Sequence, residues 1–124
     1  MEQLTKKEEE VMQILWEMKK GFVRDIIAEM PSPKPPHSTV SSVVRILETK
    51  GFVAHKAYGK TYEYYPVISK DEYRKFYLKN VVQDYFSDSY KEVLSFFARE
   101  ENIGKEDLKE LMDMIDKKAE RDDD

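Results

Sequence analysis

The sequence predicts a mainly α chain carrying one small antiparallel β ribbon, and three observations predict it. Apolar residues recur at i, i+3, i+4 and i+7 through most of the chain, the period of a helix with one buried face. Only one place breaks that rhythm with paired extended runs, Val53 to Tyr58 and Thr61 to Tyr65, which meet at Gly59-Lys60. At Pro66 the charge balance also changes. Residues 1–66 carry ten Lys/Arg and nine Asp/Glu, whereas residues 67–124 carry eleven and sixteen. The expected organisation is therefore a ribbon-bearing part, 1–68, followed by an acidic helical part, 69–124.

The first helix opens at Thr5, an N-cap with Glu8 three residues on to complete a capping box. Val11, Ile14, Leu15 and Met18 mark its buried face, and Gly21 is the expected stop. A short second helix fits Val23 to Met30 through Val23, Ile26, Ile27 and Met30. Pro31-Ser32-Pro33-Lys34-Pro35-Pro36 then forms a stiff connector, because proline removes backbone donors and fixes φ.

The third helix, Ser38 to Lys50, has two distinct faces. Val40, Val43, Val44 and Leu47 make the buried stripe; Ser38, Ser41, Ser42, Arg45 and Thr49 make the other side. That face is either an ordinary solvated surface or a surface for close approach. Solvated faces usually carry Glu and Lys, and a short polar face with one arginine better suits phosphates and base edges. From Lys34 to Lys60 the charges are Lys34, Arg45, Lys50, Lys56 and Lys60 against Glu48 alone, a net of +4. A helix followed by a basic ribbon fits insertion of the helix in a DNA groove while the ribbon grips the backbone. The candidate DNA-binding residues are Lys34, Ser38, Thr39, Ser41, Ser42, Arg45, Thr49, Lys50, Lys56 and Lys60.

In the ribbon, Gly59 at the first turn position favours a two-residue type II′ connection, with Lys56 opposite Glu63 and His55 opposite Tyr64. Tyr58, Tyr62, Tyr64 and Tyr65 read mainly as strand packing, with one hydroxyl able to reach a phosphate. Lys60 at the tip is either a soluble turn residue or a phosphate contact. His37 and His55 read as cap or strand residues, since no carboxylate or thiol sits beside them at metal-ligand spacing.

Beyond Pro66, Ser69 and Glu72 form a second capping box that opens a helix through Phe86. Another fits Ser89 to Glu101, Asn102 to Gly104 breaks it, and a last one starts at Lys105. About 50 residues are too few to enclose so many large apolar side chains by themselves. A twofold dimer would cover them and would also present two copies of the third helix to two half-sites. Folding back on the N-terminal half within one chain is the alternative. The candidate dimerisation residues are Tyr73, Phe76, Tyr77, Val81, Tyr85, Tyr90, Val93, Leu94, Phe97, Leu108, Leu111, Met112 and Ile115.

Composition narrows the function classes. No stretch approaches the roughly 18 apolar residues of a membrane span and no apolar run follows a basic start, so the cytoplasm is the expected location. Zero cysteines exclude disulfides, zinc fingers, thiolate clusters and a cysteine nucleophile. Asp71-Glu72, Asp113-Asp116 and Asp122 to Asp124 pair carboxylates, but caps, solvated faces and a tail explain them better than catalysis. No phosphate-cradling glycine loop, Ser/His/Asp arrangement or metal constellation is present, so neither an enzyme, a cofactor nor a small-molecule substrate is expected. A protein-binding module without DNA affinity is the other class that the residues allow.

Several segments together resemble the BlaI/MecI/CopY family of transcriptional repressors, in its penicillinase and methicillin-resistance branch. They are Leu4-Thr5 with Glu9-Glu10-Val11-Met12 and Ile14-Leu15-Trp16; Ser38-Thr39-Val40 through Arg45-Ile46-Leu47 and Lys50-Gly51; and Val93-Leu94 to Phe97-Ala98 with Glu106 to Ile115. The resemblance implies an N-terminal winged helix-turn-helix, a C-terminal helical dimerisation domain and repression at palindromic operators. It assigns groove entry to Ser38–Lys50 and the wing to Val53–Tyr65. In the β-lactam branch a membrane sensor-protease relieves repression by cutting one bond in a dimerisation helix, here Phe96–Phe97. That pattern has Asn before the Phe, where this chain has Phe96. The copper branch needs a cysteine-rich site, which this chain lacks.

Overall fold

A computed structural model describes residues 1–100 and 103–122, and the side chains of residues 115, 116 and 119–122, Ile115 among them, lie outside what it describes. The elements run α1 (Lys6–Met18), α2 (Val23–Ala28), α3 (His37–Thr49), β1 (Val53–Tyr58), β2 (Thr61–Pro66), α4 (Lys70–Tyr85), α5 (Tyr90–Glu100) and α6 (Lys105–Asp122). They form two compact units, Met1–Leu78 and Lys79–Asp124.

The first unit is a winged helix. Its core gathers Val11, Met12 and Leu15 of α1, Ile26 of α2, Val40, Val44 and Leu47 of α3, and Phe52 and Tyr64 around the ribbon. Thr5 caps α1 as its sequence announces: its hydroxyl accepts from Glu8 N–H at 3.3 Å, and Glu8 Oε1 accepts from Thr5 N–H at 2.8 Å. The ribbon keeps the expected register, with His55 opposite Tyr64 and Lys56 opposite Glu63, and Gly59 takes a φ of 64° at the turn.

Gly21 does something other than stop α1. The helix ends at Met18, and Lys19 takes the left-handed turn at φ 74° while its N–H donates to Leu15 C=O. Gly21 instead exchanges two hydrogen bonds with Tyr64, its N–H donating at 2.9 Å and its C=O accepting at 2.8 Å. A Cβ there would lie 2.9 Å from Sδ near the flexible end of the Met18 side chain, which would have to turn aside.

The unit also claims the first turns of α4. Residues 69–78, placed by sequence with the C-terminal part, pack here because Tyr73 is only 5% exposed. Its ring lies 5.8 Å from Phe52 and 5.9 Å from Trp16, and its hydroxyl oxygen accepts from Leu4 N–H at 3.0 Å. Tyr73 is thus a core residue, not part of an exposed dimerisation face, and Phe76 is half-buried against the same cluster. Trp16 Nε1–H closes the seam by donating to Ile68 C=O at 2.9 Å.

In the second unit α5 and α6 each place apolar residues along one side. Tyr85, Tyr90, Leu94, Phe96, Phe97, Leu111, Met112 and Met114 remain exposed, and Val81, Val93 and Leu108 are half-buried. Phe96 packs edge-on against Phe86 and Phe97, each at 5.7 Å. Among the described residues no helix is long and apolar enough to cross a membrane.

Candidate nucleic-acid interface

The site is the outward side of α3 together with the groove that separates it from the ribbon. Pro36 starts α3 one residue earlier than the sequence suggested, its C=O accepting from the N–H groups of Thr39 and Val40. This puts His37, Ser41 and Arg45 on consecutive turns of one flank. Across from them stand Lys60, Thr61 and Tyr62 of the ribbon, and Phe22 and Arg24 close the end, leaving a groove of about 580 Å³. Arg45 Nη2 donates to Ser41 Oγ at 3.2 Å, which leans the guanidinium along the groove. Ser38, Ser42, Arg45, Ile46 and Thr49 are exposed on the outer face.

Two side-chain linkages brace the ribbon, one from α3 and one from the start of α2. Glu48, at the end of α3, meets His55 Nδ1 at 2.6 Å, and the imidazole stacks on Tyr62 with ring centres 4.2 Å apart. On the other side Phe22 packs edge-on to Tyr58 at 5.9 Å. Each of these rings carries a cation: Arg24 sits 5.5 Å from the Phe22 centre and Lys56 sits 5.4 Å from that of Tyr58. The cations of the face are in this way oriented by aromatic surface while their charges stay in water. Burial pushes the Tyr64 phenol above its ordinary range, and the Glu48 carboxylate nearby pushes the same way.

The structure gathers Ser41, Arg45 and Lys60 on one groove and leaves Ser38, Ser42, Thr49 and Lys56 exposed nearby. Three other residues expected there are occupied elsewhere. Lys34 Nζ donates to the C=O groups of Ile27, Ala28 and Met30 at 3.1, 3.0 and 2.6 Å, closing the C-terminal end of α2. Lys50 Nζ lies 2.9 Å from Glu8 Oε2 and 3.6 Å from Glu2 Oε2, with its side chain only 22% exposed. Hydrogen bonding to Glu8 raises the Lys50 pKa. Burial alone would raise Glu8, but the Thr5 N–H, Lys50 and the Thr5 hydroxyl hold it below its usual value. Thr39 is half-buried beside Met30, Pro33 and Val43 on another side of the helix. Charge counting along the chain could not separate these lysines from Lys60, because their acceptors lie in other elements.

Arg24, His37 and Tyr62 also line the groove, although the linear pattern does not mark them for it. Arg24 carries the clearest sequence signal of the three, a cation in the first turn of the helix that precedes the serine-lined one; its side chain is 80% exposed. His37, expected as a cap or strand residue, is the exposed first residue of α3, and Pro36 is the N-cap of that helix.

Two helices at the heart of a small core, a third presenting a short polar face, and a braced ribbon beside it define a winged helix-turn-helix protein. The chain matches the family described as penicillinase repressor over residues 4–117. It belongs to that family, whose members are transcriptional repressors. It is similar to the methicillin resistance regulatory protein MecI of Staphylococcus aureus strain N315, 24% identical over 117 residues that cover 94% of this chain and 95% of that protein. The protein of the same name from Mammaliicoccus sciuri is 25% identical over 121 residues, with the same coverage.

Proposed function

We propose that the chain is a homodimeric repressor that binds palindromic operator DNA, placing α3 in the major groove and the β1–β2 wing on the backbone. The observation that carries the reading is the cation-lined groove between α3 and wing. Arg24, Arg45 and Lys60 converge there, beside serines short enough to let a duplex approach. Lys56 extends the positive edge along the wing. Ser38, Ser42 and Thr49 complete the surface nearest the bases.

Dimerisation through the Lys79–Asp124 unit supplies the second half-site. The support is the exposed apolar side of α5 and α6, led by Leu94, Phe97, Leu111 and Met112. Loss of the dimer releases DNA, because each half-site alone binds feebly. Cleavage at Phe96–Phe97 by a membrane sensor-protease is the route to that loss. Both side chains are exposed within α5, so cutting requires the helix to open locally.

Fluorescence anisotropy on genomic fragments at two salt concentrations tests the DNA reading, with sedimentation in parallel for the dimer. Salt-sensitive, sequence-selective binding by a dimer is the expected result. Salt-insensitive or absent binding would leave the protein-interaction class that the sequence also allowed. Incubation with a membrane-anchored zinc protease and mass mapping tests the cleavage step: an intact chain removes it without touching the DNA reading.

A further inference from the structure

The buried stripe of α3 accounts for Val40, Val44 and Leu47, with Val43 half-buried beside them, and leaves one large aliphatic residue out. Ile46 is 48% exposed. A single exposed aliphatic side chain on a helix is ordinary, so its place is what matters. One turn before it stands Ser42 and one turn after it Thr49, both exposed and both short. Arg45, its neighbour in sequence, leans the other way toward Ser41 and the wing. The branched apolar end of Ile46 therefore projects beyond its neighbours on the outer side of α3, away from the charged groove.

We propose that Ile46 is a specificity-determining residue that selects a thymine in each half-site through its C5 methyl group; this rests on the DNA reading above. The side chain can neither donate nor accept a hydrogen bond. Along the major-groove edges of the four bases, thymine's methyl is the one apolar feature, the remainder being donors and acceptors. An isoleucine packed there against any other base would cover polar edge atoms without satisfying them. Against thymine it removes two apolar groups from water together. Arg45 and Ile46 then divide the work: the guanidinium serves the wing side of the groove, and the aliphatic group reads one base on the far side.

The test separates this inference from the reading beneath it. The purified full chain is used to select duplexes from a random library, and each thymidine of an enriched duplex is replaced singly by deoxyuridine, which deletes only the methyl. One thymidine per half-site should then cost the native protein roughly fourfold in affinity, the worth of one buried methyl group. Ile46→Ala should be indifferent to that same replacement, and 5-methylcytosine at the position should recover part of the loss. Because Ile46 is exposed, the variant should melt with the native protein. Indifference of the native protein to every replacement, or an equal penalty in Ile46→Ala, would overturn the proposal while leaving DNA binding intact. A library that yields no enriched duplex would overturn DNA reading and this inference together.

Discussion

Lysines 34, 50 and 60 are indistinguishable by charge, yet their surroundings predict opposite behaviour in DNA binding. Each phosphate neutralised by a protein cation contributes roughly 0.9 to the negative slope of log K against log salt. The face offers Arg24, Arg45, Lys56 and Lys60. If all four meet phosphates in both halves of a dimer, the slope approaches about −7, and raising salt from about 50 to 200 mM costs roughly 10⁴-fold in affinity. Lys60→Gln removes one contact per subunit, so the slope should flatten by about 1.8 and the same salt step should cost nearer 10³-fold. Random-sequence duplex should show the same flattening, since phosphates carry no sequence information.

Lys34→Gln and Lys50→Gln should leave the slope where it is, because one ammonium is spent on three carbonyls and the other on Glu8 and Glu2. Their effect belongs to folding and should be seen as earlier thermal unfolding. Anisotropy titrations at four or five salt concentrations, with melting curves on the same preparations, measure both quantities. A slope that flattens equally for Lys50→Gln and Lys60→Gln would refute the reasoning: it would mean that the internal pairing of Lys50 gives way on the duplex. An unchanged slope for Lys60→Gln would show that the groove does not face phosphate.

Three further outcomes follow from the same geometry. Glu8 is 4% exposed and its folded pKa is lowered, so its contribution is complete above the unfolded carboxylate value of about 4.3 and is lost as pH falls through the folded one. Glu8→Gln should therefore cost about 1–3 kcal/mol at pH 7 and converge on the native protein in melts taken progressively below pH 4. Tyr73→Phe keeps the aromatic packing but leaves Leu4 N–H without its acceptor, and urea unfolding should register a loss of about 1 kcal/mol. Leu111→Asp puts a charge on the exposed apolar side of α6, so sedimentation should shift toward the monomer and operator affinity should fall while far-ultraviolet dichroism is retained.

What the chain's linear pattern revealed was whatever depends on near neighbours. The Thr5–Glu8 box, the buried stripe of α3, the ribbon register and the turn at Gly59 are all interactions within a few residues or across one tight turn, and each stands as expected. What it concealed was set by contacts at long separation. Tyr73 reads in the sequence as one more aromatic on a surface stripe, whereas its hydroxyl accepts from the N–H of Leu4, 69 residues away. Lys50 reads as a free cation, whereas its ammonium donates to Glu8, 42 residues away. Gly21 reads as a helix stop because glycine usually serves there, whereas its backbone N–H and C=O pair with Tyr64 of β2.

Glu48 shows how the two kinds of information combine. It is the one acid between Lys34 and Lys60, and if α3 enters a groove as proposed, a carboxylate free to swing at its end would repel the phosphates. Its oxygen instead meets His55 on β1, and the imidazole in turn stacks on Tyr62, which lines the groove. The single negative charge is thereby turned toward the base of the wing and used to join wing and helix. His55→Ala deletes both the hydrogen bond and the stack, whereas His55→Phe keeps a stacking surface and deletes only the bond. If the wing angle rests on this chain of contacts, DNA affinity should fall in the order native, His55→Phe, His55→Ala, the first step being about fivefold for one lost hydrogen bond of about 1 kcal/mol. Equal binding by all three would mean that the Gly21–Tyr64 bridge alone sets the position of the wing.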